Sequence, residues 1–114
     1  MPIPHDIQTA AEVQLDRYCV RIVPEHAYDK VRIGYIVKGM AITLFEERPG
    51  FRDKTIWERN DIVRIRYSKK DALWTLYCRD RNLEWHIYGR MPPTPNFSKI
   101  LEEIESDPTG IFWG

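Results

Sequence analysis

The stretch Leu73–Tyr88, LWTLYCRDRNLEWHIY, decides how the sheet of this 114-residue chain must be organised. Trp74, Leu76 and Cys78 alternate with more polar neighbours, and so do Leu83, Trp85 and Ile87. Just upstream, Val63, Ile65 and Tyr67 repeat the pattern. Period-two alternation over short runs, broken by turn formers, predicts three half-buried strands over 62–67, 72–79 and 83–88. Opposed residues of an antiparallel pair share a face, so burying all three apolar sets together needs even-numbered loops. Four-residue loops at Ser68–Asp71 and Arg79–Asn82 satisfy this. They set Ile65, Trp74 and Ile87 abreast on the core face, with Val63, Leu76 and Trp85 in the next row.

Two further alternating runs precede this meander in VRIGYIVKGMAITLFEE. A loop at Lys38-Gly39 would join them as a hairpin, with Tyr35 opposite Ile42 and Ile33 opposite Leu44. Gly34 leaves a gap in mid-strand that either a ring such as Phe45 or a bend can take up. The intervening segment 48–60 is charged, aperiodic and contains Pro49 and Gly50, so it reads as a long loop pinned by Phe51 and Trp57. At the N-terminus, Ile7, Ala11, Leu15, Tyr18 and Ile22 recur at helical spacing, with Asp6 placed to cap and Pro24 to stop the helix. A short helix over 97–106 follows a proline-rich connector, with Asn96 as N-cap and Phe97, Ile100, Leu101 and Ile104 inward. Burial of Ile111, Phe112 and Trp113 would tie down the end. The expected architecture is α+β: an N-terminal helix, a five-stranded antiparallel meander sheet and a short C-terminal helix, in one domain.

Composition narrows the function classes. Seventeen Lys+Arg balance seventeen Asp+Glu, so no global field recruits nucleic acid or an anionic membrane, and a basic site must be a local patch. Cys19 and Cys78 lie far apart with no metal-ligand spacing, and fit small buried hydrophobes in a reducing compartment. No signal-like segment and no apolar run of spanning length occurs, which makes the cytoplasm the expected location. His5, His26 and His86 are scattered, and no phosphate loop, nucleophile elbow, metal or cofactor motif is present.

The same register lays out the opposite sheet face. Its rows read Arg66, Leu73, Tyr88; Arg64, Thr75, His86; and Ile62, Tyr77, Glu84. These are ordinary solvent-side strand residues, which is the plainest reading. Among functional readings, Arg64, Arg66, Leu73, Tyr77, His86 and Tyr88 best fit a protein-interaction face, most simply that of a homodimer. Single-stranded nucleic acid, held by Arg64 and Arg66 and stacked on Tyr77 and Tyr88, is the alternative. A third reading makes His86 the acid–base group of an enzyme. Parity also turns Glu46 inward, and Arg48 is a candidate ion-pair partner for it.

The strings TLFEERP, WTLYCRDRN, WHIY and the closing DPTGIFWG, with Arg66-Tyr67, resemble a bacterial family catalogued only as a domain of unknown function. The resemblance runs from the first helix to Gly114. It implies a compact cytoplasmic protein and carries over no activity, cofactor or catalytic residue. Phe51 departs from the tryptophan that the resemblance implies after the ERP motif.

Overall fold

The computed structural model describes residues 2–113, so Gly114, the last residue of the DPTGIFWG motif, lies outside the described part. Helix α1 (His5–Ile22) is followed by a 3₁₀ turn (Glu25–Ala27), strands β1 (Arg32–Lys38), β2 (Ala41–Pro49), β3 (Trp57–Ser68), β4 (Leu73–Arg79) and β5 (Trp85–Ile87), and helix α2 (Phe97–Ser106). The five strands form one antiparallel sheet in chain order, so the architecture is α+β. Both helices cover one face of the sheet. Leu15 and Tyr18 of α1 and Ile100 and Ile104 of α2 meet Ile42, Leu44, Val63 and Ile65 in a continuous core. Trp74 extends it, with the Tyr67 ring tilted against the indole at 4.9 Å and Phe97 edge-on at 4.8 Å between centroids. No helix among the described residues is long and apolar enough to cross a membrane.

The helix ends differ in how they are made. α1 starts at His5 behind Pro4, and Asp6 lies in its first turn rather than capping it. A carboxylate there still faces the positive end of the helix dipole. Asn96 caps α2, its side chain accepting from the Ser98 amide, and Asp107 ends α2 in the left-handed region at φ 43°. The Asp107 carboxylate then accepts from the Phe112 and Trp113 amides at 3.0 and 2.8 Å. That fold-back buries Phe112 and brings the Trp113 indole N–H to the Tyr18 hydroxyl at 3.3 Å, whereas Ile111 stays exposed.

Two hairpin registers are displaced from the sequence expectation without changing faces. The β1–β2 turn is Gly39-Met40, so Lys38 pairs with Ala41 and Tyr35 with Leu44. Positive φ at Gly39 alone is the type II′ pattern, whose twist suits the flanking strands. Gly34 therefore faces Phe45, and a Cβ there would sit 2.8 Å from the ring's Cζ, so the ring fills the gap. In β3–β4, a four-residue loop is kept but starts one residue later, with Ala72 at φ 55°, pairing Ser68 with Leu73 and Tyr67 with Trp74. An even shift preserves every inward side chain.

The β4–β5 turn overturns the expected parity. Asp80 and Glu84 close a three-residue loop: the Leu83 amide donates to the Asp80 carbonyl, the Asp80 amide to that of Glu84, both at 3.0 Å, and Leu83 stands at φ 65°. This is a type I turn followed by a left-handed residue, an odd-numbered loop. Arg79 then pairs with Trp85, Cys78 with His86 and Tyr77 with Ile87. Trp85 and Ile87, expected inside, stand on the outer face, and Leu83 is exposed. Tyr88 and His86, expected outside, move to the helix side. Tyr88 is 3% exposed, stacked near Phe112 at 5.1 Å and donating to Glu103 on α2 at 2.6 Å. A buried ring whose hydroxyl is satisfied outweighs the alternation that suggested the other face.

The segment expected to be a loop over 48–60 is strand at both ends. β2 and β3 continue pairing to Pro49 and Trp57, leaving only 50–56 as the turn. A bulge at Ile62, where the register shifts beside Leu44/Phe45, lets this arm twist away from the core and packs Ile62 against the core rather than on the outer face. The arm helps give the molecule its 46 × 29 × 26 Å extents. Neither of the anchors expected there behaves as one. Phe51 is 96% exposed at the tip, and Trp57 lies under the Arg32 guanidinium instead of in the core.

Candidate functional site

The outer face is the surface left open once both helices have taken the other side. Strand pairing assembles one row across all five strands: Ile36, Thr43, Arg64, Tyr77 and Ile87. Lys38, Ala41, Arg66 and Thr75 form the next row, and Arg79 with Trp85 flanks the first on its other side. On the arm, Arg32 pairs with Glu47, which pairs in turn with Arg59. Arg64, Arg66, Leu73 and Tyr77 thus share this face, while His86 and Tyr88 do not.

Arginines and rings interleave here. Arg32 lies 3.6 Å from the centre of the Trp57 ring, Arg59 5.1 Å from Phe45, and Arg64 and Arg79 4.6 and 5.3 Å from Trp85. Each contact orders a flexible side chain and contributes about 0.5–1 kcal/mol where water reaches it. Six cations (Arg32, Lys38, Arg59, Arg64, Arg66, Arg79) share the face with two carboxylates, Glu47 and Asp61. Among the described residues only Arg59 of the six has a carboxylate in ion-pair reach, Asp61 at 3.1 Å. Arg64 Nε reaches the Thr43 hydroxyl at 3.4 Å, and Arg79 donates to the Asp61 carbonyl at 3.0 Å. Acids collect on the helices instead, with Asp6, Glu12, Asp16, Glu102, Glu103 and Glu105 against Arg17, Arg21 and Lys99. The zero net charge of the chain therefore conceals two unlike faces.

A cleft of about 680 Å³ opens on the outer face near the β1–β2 turn, between Lys38, Thr43, Arg59, Asp61, Arg64 and Arg66. The bulge at Ile62 places Asp61 at its edge. Such a cleft, with several cationic donors and one carboxylate, suits an anion that also offers an N–H.

The remaining candidates lie apart from this face. Arg48 donates to Glu46 at 2.8 Å, an ion pair on the helix side of the arm's base with the arginine largely in solvent. His86 Nε2 is 2.6 Å from Asp80 Oδ2, separated from Arg64 by the sheet. Together with Glu84 these two offer metal-ligand atoms within 4.8 Å of one another. However, Asp80 Oδ1 already accepts from the Asn82 and Glu84 amides, and its carboxyl is held below the usual range first by the Glu84 amide and then by His86. Closing the turn accounts for Asp80 without a ligand. Burial pushes the Cys19 thiol up to about 11, far from a nucleophile's range.

Over residues 3–114 the sequence matches the family described as Domain of unknown function (DUF3024). The chain belongs to that family. The match spans the extent over which the TLFEERP, WTLYCRDRN and DPTGIFWG strings carry the resemblance. No curated protein and no solved structure matches this DUF3024 chain. Its outer face must be read from its own residues. Trp85 and Arg59 are not among the outer-face residues that the sequence register lays out. The DRN triplet at 80–82 was the available signal for Trp85, since Asp opening a type I turn admits an odd loop. The alternation of Trp57, Arg59 and Asp61 was the signal for the arm.

Proposed function

We propose that this protein binds single-stranded nucleic acid on the outer face of its sheet. The observation that carries the reading is the segregation of charge: six cations against two carboxylates on one open face of a chain with no net charge. Phosphates would run past Arg64, Arg66 and Lys38, and bases would stack against Tyr77 and the ring of Trp85 that Arg64 and Arg79 hold in place. Tyr88, buried against α2, has no part in this, and Trp85 takes its role as a platform. An interaction with a protein is the second reading, favoured by exposed Ile36 and Ile87 at the two ends of the row through Arg64.

Fluorescence anisotropy of labelled single-stranded RNA and DNA across about 50–200 mM salt tests the proposal. Affinity should fall steeply with salt, with a log–log slope of about −0.7 for each phosphate neutralised. Arg64→Ala and Arg66→Ala should each make that slope shallower by about that amount, whereas Lys99→Ala on α2 should leave it unchanged. Absence of binding to any oligonucleotide at low salt refutes the proposal and leaves the protein reading.

A further inference from the structure

We propose that the tip of the β2–β3 arm and the pocket beside β1 are two halves of one contact between copies of this chain, forming a two-fold dimer. The tip is an ordered device. The Gly50 amide donates to the Ile56 carbonyl at 2.7 Å, and the Thr55 amide and hydroxyl both donate to Asp53 Oδ1, at 3.0 and 2.6 Å. Gly50 is required there, because a Cβ would lie 2.7 Å from the Asp53 carbonyl oxygen. This well-bonded turn holds Phe51 at 96% exposure, with Ile56 exposed beside it. A rigid turn that presents a bare ring is built to insert it.

The pocket is the matching orphan. Cys19, Val20 and Val23 at the end of α1 and Tyr28, Val31 and Ile33 beyond it line a mostly apolar hollow of about 420 Å³, with Arg32 on one wall. An apolar cavity of about 150 Å³ already takes a benzene ring, so Phe51 fits with room for part of Ile56. Val20, 68% exposed, and exposed Tyr28 form its rim. Charges agree as well: Arg52 and Lys54 flank Phe51 on the tip, and Glu25 and Asp29 flank Tyr28 at the pocket, none of the four with an ion-pair partner among the described residues.

Position makes the pairing reciprocal. Arg32 at the start of β1 pairs with Glu47, and the tip begins three residues further on, about 10 Å at ~3.4 Å per residue. Tip and pocket therefore lie at the same end of the molecule. A two-fold axis through that end puts each copy's Phe51 into the other's pocket at once, a closed isologous contact. The core of the outer face around Arg64 and Trp85 stays free, although Arg32, one of that face's cations, lines the pocket.

Sedimentation velocity of the full chain over a concentration series tests it, with Phe51→Ala and Val20→Asp compared. Both positions are exposed, so circular dichroism should report an unchanged fold. The wild type should dimerise, and either variant should weaken association about a hundredfold, roughly tenfold for each of two buried rings. An equimolar mixture of the two variants keeps one intact tip and one intact pocket, and should associate with intermediate strength. A monomeric wild type at the highest concentration, a dimer indifferent to both substitutions, or a mixture no tighter than its components overturns the proposal.

Discussion

Replacing each of two tryptophans with alanine separates the observed β4–β5 turn from the alternative that simple alternation favours. Trp74 is 2% exposed and packed between the Tyr67 and Phe97 rings, so Trp74→Ala leaves a cavity that its neighbours cannot close. A loss of about 3–5 kcal/mol is expected. Trp85 stands on the outer face, half-buried, with the Arg64 and Arg79 guanidinium groups near its ring. Losing two water-exposed cation–π contacts at about 0.5–1 kcal/mol each gives about 1–2 kcal/mol for Trp85→Ala. Urea unfolding followed by circular dichroism reads both. With a slope of about 2 kcal/mol/M, the midpoint should fall by about 2 M for Trp74→Ala and by less than about 1 M for Trp85→Ala, the slope itself unchanged. In an even-loop register Trp85 would be a core ring and the two losses would match. Equal losses refute the three-residue turn and, with it, the outer face as described.

Three further outcomes follow from particular contacts. Leu83→Gly should stabilise the fold by about 0.5–1 kcal/mol, because Leu83 is exposed and its φ of 65° strains any residue with a Cβ; a destabilised variant in thermal melts would show that the residue is not left-handed. Gly34→Ala should cost about 1–2 kcal/mol by displacing the Phe45 ring, and combining it with Phe45→Leu should recover part of that loss in a double-mutant cycle; strict additivity would disprove the contact. Alkaline stability should depend on Tyr18 and Tyr88, both pushed up to about 12, chiefly by burial and, for Tyr88, also by its bond to Glu103. A raised folded pKa gives stability that is complete below the unfolded value near 10 and lost as pH rises towards 12. The urea midpoint should therefore drop across that window, and less so in Tyr88→Phe; an identical drop in that variant would remove Tyr88 as a cause.

The sequence by itself determined the order of the elements and which residues of α1, α2, β4 and, from Val63 onward, β3 face inward, because a side chain's direction follows from period 2 or 3.6 within its own element. The Asn96 cap was legible from its neighbours in sequence, whereas Phe45 comes opposite Gly34 only in the observed register. Registers were not, since pairings two residues apart bury the same side chains and differ only in turn geometry. The β4–β5 face was decided by tertiary structure: Asp80 closing an odd loop, and Tyr88 finding Glu103 on a helix fifteen residues further on. The arm eluded the sequence reading because the alternation of Trp57, Arg59 and Asp61 is mostly charged and has no buried apolar face behind it. Charge segregation was hidden most deeply. Arg32, Arg59, Arg64, Arg66 and Arg79 are spread over three strands and interspersed with acids along the chain, and only pairing the strands of the sheet while the acidic helices cover the opposite face turns a neutral sequence into a cationic surface.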